Sequence, residues 1–233
     1  MLLLALDTAT PAVTVALYET DGDRLLAASD QTDARRHGEL LLPSVDRVLR
    51  EAGRPLQEVD RVIVGTGPGP YTGLRVGLVT AETFGAALGI PVLGLCTLDG
   101  IAYASGLESP FVVATDARRK EVYWARYADA RTRVGDPAVD RPEELPAEVT
   151  ALPAIGAGAR LYEEVFKGAW QEGGTGDQGG PGAEPPLGQS AAALACLAAE
   201  KLAKGEEFPP PRPLYLRRPD ARVPANYKVV TPK

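Results

Sequence analysis

Cysteine and histidine are almost missing from this chain: two Cys and one His in 233 residues. Cys96 lies in an apolar strand-like run and Cys196 in an Ala-rich helical stretch, so no disulfide framework or cysteine-based zinc site can be assembled from them. His37, within Arg35-Arg36-His37-Gly38-Glu39, has no second His or Cys near it in sequence. It makes a poor metal site and reads as a surface or cap residue. Ser29, Ser44, Ser105, Ser109 and Ser190 lack a G-x-S-x-G setting, so nucleophilic hydrolysis has no sequence support. Long apolar runs are missing too, and the opening Met1-Leu2-Leu3-Leu4-Ala5-Leu6 is too short for a signal peptide, lacks a basic start and runs into Asp7. Net positive charge is also wanting: at −6 the surface as a whole does not suit phosphate neutralisation. The expectation is a soluble cytoplasmic protein that no membrane engages.

What is present is a 45% hydrophobic chain, enough for one large domain or two small lobes. Leu2 to Leu6, Ala12 to Tyr18 and Arg24 to Ser29 read as an antiparallel meander, separated by polar and glycine-containing turns. Leu41, Leu42, Val45, Val48, Leu49 and Ala52 then fall at helical spacing up to Gly53, with Pro43 tolerable in the first turn. Arg61 to Gly65 is a strand. The alternation Gly67-Pro68-Gly69-Pro70 fixes a stiff turn, after which Thr72 caps a helix through Leu74, Leu78, Ala81, Phe84, Gly85 and Leu88, stopped at Gly89.

A strand at Pro91 to Leu95 completes a β-β-β-α-β-α-β unit. Phe111 to Thr115 and Glu121 to Tyr127 then begin the pattern again, so two lobes of one type are expected, the second eroded. The reading is α/β, with residues 1–105 as the first lobe, 106–218 as the reduced second lobe and 219–233 as a loose tail. Within the second, Ala154 to Ala159 leads into a helix at Leu161 to Phe166. Ser190 caps an Ala-rich helix, and the Gly- and Pro-dominated stretch 172–188 reads as a flexible insert. Leu214 to Arg218 is expected to dock on the body.

Several residues are candidates for chemistry. Asp7 ends the first strand, where a carboxylate facing a cleft positions a metal or a water, and Thr8 and Thr10 offer hydroxyls to a phosphate; the same residues also suit an Asx-type turn. Bare amides after Gly67 to Pro70 suit a phosphate, yet the spacing matches neither a phosphate loop nor a dinucleotide fingerprint, which favours a packing turn. Gly156-Ala157-Gly158 is a weak nucleotide signal beside a plain strand-to-helix turn. Asp116, Arg118 and Glu121 form a charged knot between strands. Arg212, Arg217, Arg218, Arg222 and Lys228, with Tyr215 and Tyr227 among them, suit RNA phosphates and a stacked base, against a default of solvated tail charges.

Four segments together resemble one family. They are Asp7-Thr8-Ala9-Thr10, the run Gly67-Pro68-Gly69-Pro70-Tyr71-Thr72-Gly73-Leu74-Arg75-Val76-Gly77, Asp116-Ala117-Arg118 followed by Glu121-Val122-Tyr123-Trp124-Ala125, and Pro213-Leu214-Tyr215-Leu216-Arg217. In that order and spacing the chain is similar to the TsaB (YeaZ) family, the bacterial dimerisation subunit of the tRNA threonylcarbamoyladenosine machinery. The resemblance implies a two-lobed actin-like, Hsp70-like ATPase fold and a place beside the catalytic paralogue TsaD and the ATPase TsaE. TsaD-like proteins carry an H-x-x-x-H metal motif whose positions here are Thr97 and Ile101, neither a useful ligand.

A non-catalytic scaffold with no metal and no cofactor is therefore implied. It would activate TsaD for transfer of threonylcarbamoyl from its adenylate to N6 of adenosine 37 in tRNAs that read codons beginning with A. Such a scaffold would meet tRNA through the complex and pair with itself when alone. The rivals are an independent ATPase or peptidase of the same superfamily, and an RNA-binding module. The resemblance also implies that the two first-lobe helices pair with the matching two of TsaD or of a second copy. Candidate contact residues are Leu41, Val45, Val48, Leu74, Gly77, Leu78, Ala81 and Gly85; of these Gly77, Ala81 and Gly85, four residues apart, form a small-residue stripe with Leu78 on its flank, against the plainer reading that the stripe faces only its own sheet.

Overall fold

The computed structural model describes residues 1–168 and 188–217. The expected insert, apart from Gly188, and the expected tail lie outside the described residues, as do Arg218, Arg222, Tyr227 and Lys228 of the basic cluster.

Three strands, β1 (Leu2–Asp7), β2 (Ala12–Glu19) and β3 (Arg24–Thr32), form the antiparallel meander, and β4 (Arg61–Gly65) and β5 (Val92–Leu95) join it in parallel. The order is β3-β2-β1-β4-β5. Because side chains alternate along a strand, the sheet sorts its apolar residues into two sets. Leu4, Leu6, Val15, Leu17, Val62 and Val64 face α1 (His37–Ala52) and α2 (Tyr71–Leu88). Leu3, Ala5, Ala16, Tyr18 and Ile63 face α6 (Ala191–Ala203). Both faces are covered, which is why β1 and β4 read as almost unbroken hydrophobic runs.

The pattern recurs in a smaller sheet of order β8-β7-β6-β9, built from β6 (Phe111–Asp116), β7 (Val122–Asp129), β8 (Thr132–Asp140) and the two-residue β9 (Ala154–Ile155). One face packs on α3 (Thr97–Ser105) through Phe111, Val113, Ala125 and Tyr127. The other packs on α4 (Ala147–Thr150) and α5 (Ala157–Leu161) through Val112, Ala114 and Val122. Helices α3 and α6 touch each other, so the molecule is layered helix, sheet, helix, sheet, helix. Asp99 on α3 ties the middle layer to the second sheet: it accepts from Arg133 Nη1 at 2.7 and 2.9 Å and from the Tyr127 hydroxyl at 2.8 Å. Among the described residues no helix is long and apolar enough to cross a membrane.

Local differences from the sequence reading have identifiable causes. Pro43 sits in the second turn of α1, because the helix starts at His37, four residues before its first periodic apolar residue. The N-cap of α2 is Pro70, not Thr72, since the chain is already extended at Pro70 and turns helical at Tyr71. The helix expected at Leu161 to Phe166 lies earlier, at Ala157–Leu161. Strand β8 and helix α3 were not anticipated. Helix α6, expected in the second lobe, covers the first sheet instead. Ser190 does cap it, accepting from Ala193 N at 3.3 Å.

Candidate functional site

The turn after β1 is where the sequence placed its strongest chemistry. Asp7 is wholly buried, because β4 runs parallel beside β1 and presents Gly65 to it: a Cβ on Gly65 would lie 2.2 Å from the Asp7 carboxyl carbon. The carboxylate accepts from Ala9 N at 2.9 Å, the Asx-type turn, and from the Thr97 hydroxyl at 2.8 Å. Burial raises its pKa from 3.8 to about 6, against the opposing pull of these hydrogen bonds. Thr97 in turn accepts from Gly67 N at 3.2 Å. Thus Asp7 and Thr97 tie β1, the Gly-Pro turn and α3 into one buried network, with Ile101 one turn along α3 in the apolar core.

The two hydroxyls beside Asp7 are also engaged. Thr8 Oγ1 donates to Gly73 O at 2.7 Å and accepts from Gly77 N at 3.0 Å, bridging the two groups that an uninterrupted helix would pair with each other. Thr10 Oγ1 accepts from Ala12 N at 3.2 Å. Gln189, which nothing in the sequence flagged, spans the turn: its amide donates to Asp7 O and Ala12 O at 2.9 and 2.6 Å and accepts from Thr10 N at 2.8 Å. His37 Nε2 lies 2.8 Å from Thr10 O and so carries its proton there. Gly156 and Gly158 lie in the second lobe, Gly156 as the N-cap of α5 after β9 and Gly158 in the first turn of that helix. There a Cβ would meet the backbone of Ala114 at 2.4 Å or of Thr115 at 2.7 Å, so the turn is pressed onto β6.

The small-residue stripe of α2 faces its own sheet. A Cβ on Gly77 would come within 2.5 Å of Thr8 Oγ1, and one on Gly85 would meet Val92. Leu41, Val45, Val48, Leu74, Leu78 and Ala81 are likewise buried in the core shared by α1, α2 and the first sheet. This corrects the sequence reading: all eight candidate contact residues are turned inward, because the residues they fit, on β1, β2, β4 and β5, lie far away in sequence. The outward face of the helix pair carries Leu42, Tyr71 and Val79, with 55, 54 and 63% of their surface exposed. With Val76, Arg75 and the edge of Leu41 they line an open groove of about 440 Å³. Tyr215 stacks on Tyr71 with centroids 5.2 Å apart, and Leu214 N donates to Thr66 O, so the segment after α6 does dock on the body. Among the described residues no group of three or more His, Cys, Asp or Glu is placed to hold a metal.

Two helix-flanked sheets of repeated topology, joined through a middle helical layer, define a two-lobed α/β protein of the actin-like class with a reduced second lobe. The family model described as TsaD, tRNA N6-adenosine threonylcarbamoyltransferase, matches residues 28–165. An uncharacterized protein of Mycobacterium tuberculosis is 41% identical over 94% of this chain and 93% of its own length. The Escherichia coli tRNA threonylcarbamoyladenosine biosynthesis protein TsaB is 35% identical over 54% of this chain and 55% of its own. YeaZ from Pseudomonas aeruginosa superposes with a TM-score of 0.73 at 32% identity, covering 92% of this chain and 99% of that one. The chain belongs to the TsaB/YeaZ family.

Proposed function

We propose that this chain is a non-catalytic scaffold in the formation of threonylcarbamoyladenosine in tRNA, holding the catalytic paralogue TsaD in an active arrangement while the ATPase TsaE serves the same complex. Chemistry then belongs to TsaD, which passes threonylcarbamoyl from its adenylate to N6 of adenosine 37 in tRNAs reading codons that begin with A. Family membership supports the pathway. The scaffold role is carried by one observation: the network around Asp7, Thr8 and Thr97 is committed to holding β1, α2 and α3 together, while the outward face of α1 and α2 offers exposed apolar side chains around a groove. Large exposed apolar residues clustered on one helix pair mark a contact surface. In this reading Leu42, Tyr71, Val76 and Val79 meet the matching helices of TsaD, or of a second copy when the chain is alone, and the inward residues from Leu41 to Gly85 shape that face from behind.

Reconstitution tests it. TsaD and TsaE should modify tRNA only when this chain is added, and the chain alone should release no phosphate from ATP. Phosphate release without a partner, or full modification in its absence, would make it an independent enzyme instead.

A further inference from the structure

Helix α2 enters the groove by an end that its own sequence holds weakly. The N-cap is Pro70, whose ring has no atom to accept from the leading amides, the first turn carries no acidic side chain, and glycine stands at positions 73 and 77. Each of these lowers the intrinsic stability of a helix start. Yet this end supplies Tyr71 and Arg75 to the groove wall. Left to themselves, both long side chains would have to be ordered when a partner arrives, at a cost in affinity.

What fastens them comes from the far end of the described chain. Tyr215 stacks on Tyr71, its hydroxyl accepts from Arg75 Nε at 3.3 Å, and the Arg75 guanidinium lies over the Tyr71 ring, 4.0 Å from its centroid. Tyr215 is itself carried on a restricted strap, in which Pro209, Pro210, Pro211 and Pro213 fix much of the backbone before folding. Ahead of Tyr215 the strap presses on the edge strand β5, where a Cβ on Gly94 would lie 3.0 Å from Pro211 Cα. Leu214 then donates its N–H to Thr66 O at 2.9 Å and packs on the core around α3. After Tyr215, Arg217 pairs with Glu121 on the second lobe and donates to Arg118 O at 3.4 Å. The strap is therefore pinned on both sides of the ring it presents.

We propose that Tyr215 is a positioning residue for the partner contact: it sets the Tyr71 ring and the Arg75 guanidinium in the groove wall before TsaD arrives. This deepens the reading of the α1–α2 face and rests on it. One aromatic stack and one cation–ring contact facing solvent are each modest, so Tyr215 governs affinity and leaves the fold intact.

Titration calorimetry of the full chain with TsaD, together with amide hydrogen exchange of the free chain, tests it. Tyr215→Ala should keep the wild-type circular dichroism spectrum, bind TsaD about five-fold more weakly and exchange faster at residues 72–76 while β1, β4 and α6 keep their protection. Tyr215→Phe, which keeps the stack, should recover most of the affinity and of the protection. Because Tyr215 acts through Tyr71, the double variant Tyr71→Ala, Tyr215→Ala should bind no more weakly than Tyr71→Ala does by itself. Additive losses in that cycle would make Tyr215 a direct contact and overturn the proposal, as would wild-type affinity or unchanged exchange in Tyr215→Ala. Val79→Arg separates the two readings: if it abolishes binding while Tyr215→Ala binds as the wild type does, the positioning role falls and the helix-pair surface stands. A Val79→Arg variant that binds TsaD as the wild type does would overturn the surface and the positioning role together.

Discussion

Asp7 occupies the position where a functional carboxylate was considered, and its surroundings give it a measurable signature. Its folded pKa of about 6 lies above the unfolded value near 3.9. The folded state therefore binds more protons between those values, and stability falls as pH rises through that window, by about 3 kcal/mol in all, then levels off above pH 6. Asp7→Asn keeps an acceptor for Ala9 N and removes the titration. Thermal or urea unfolding between pH 4 and 7 should show the decline in the wild type and lose it in the variant; an unchanged slope would count against the assignment. Gly65→Ala acts at the same spot from the neighbouring strand. With a Cβ 2.2 Å from the Asp7 carboxyl carbon it should destabilise by roughly 2–4 kcal/mol, read as a lowered urea midpoint.

At the scale of elements, α2 separates two outcomes that the sequence left together. Leu78 is buried in the first-lobe core, so Leu78→Arg should abolish the folded circular dichroism spectrum by burying an unpaired charge. Helix α3 is anchored by Asp99, and Arg133→Ala should cost about 2 kcal/mol by leaving that carboxylate without its cation. At Thr97 and Ile101 the side chains serve the Asp7 network and the apolar core. Elemental analysis should accordingly find no stoichiometric iron or zinc, and one metal per chain would contradict the account. The elements that could be read from sequence were those with strong local signals: the apolar runs of β1 and β4, the glycines ending α1 and α2, the Ser190 cap. Strand β8 escaped because Thr132–Asp140 has few apolar residues and pairs on one side only, with β7. Position within the site escaped for another reason. That Thr97 reaches Asp7 across 90 residues, or that Gln189 staples the turn from the far end of the chain, leaves no mark in local composition, and neither does which way a stripe of glycines faces.

For the molecule as a whole, the central claim is that the outward face of α1 and α2 is where this chain meets TsaD, with its core and buried polar network serving to hold that face rigid. Val79 is the sharpest probe, being the most exposed large apolar residue of the pair and adjacent in sequence to the buried Leu78. Size-exclusion chromatography of wild type and Val79→Arg mixed with TsaD, with circular dichroism on each, tests the claim directly. The account predicts that Val79→Arg keeps the wild-type spectrum and elutes apart from TsaD while the wild type co-elutes; a folded Val79→Arg variant that co-elutes with TsaD as the wild type does would contradict it.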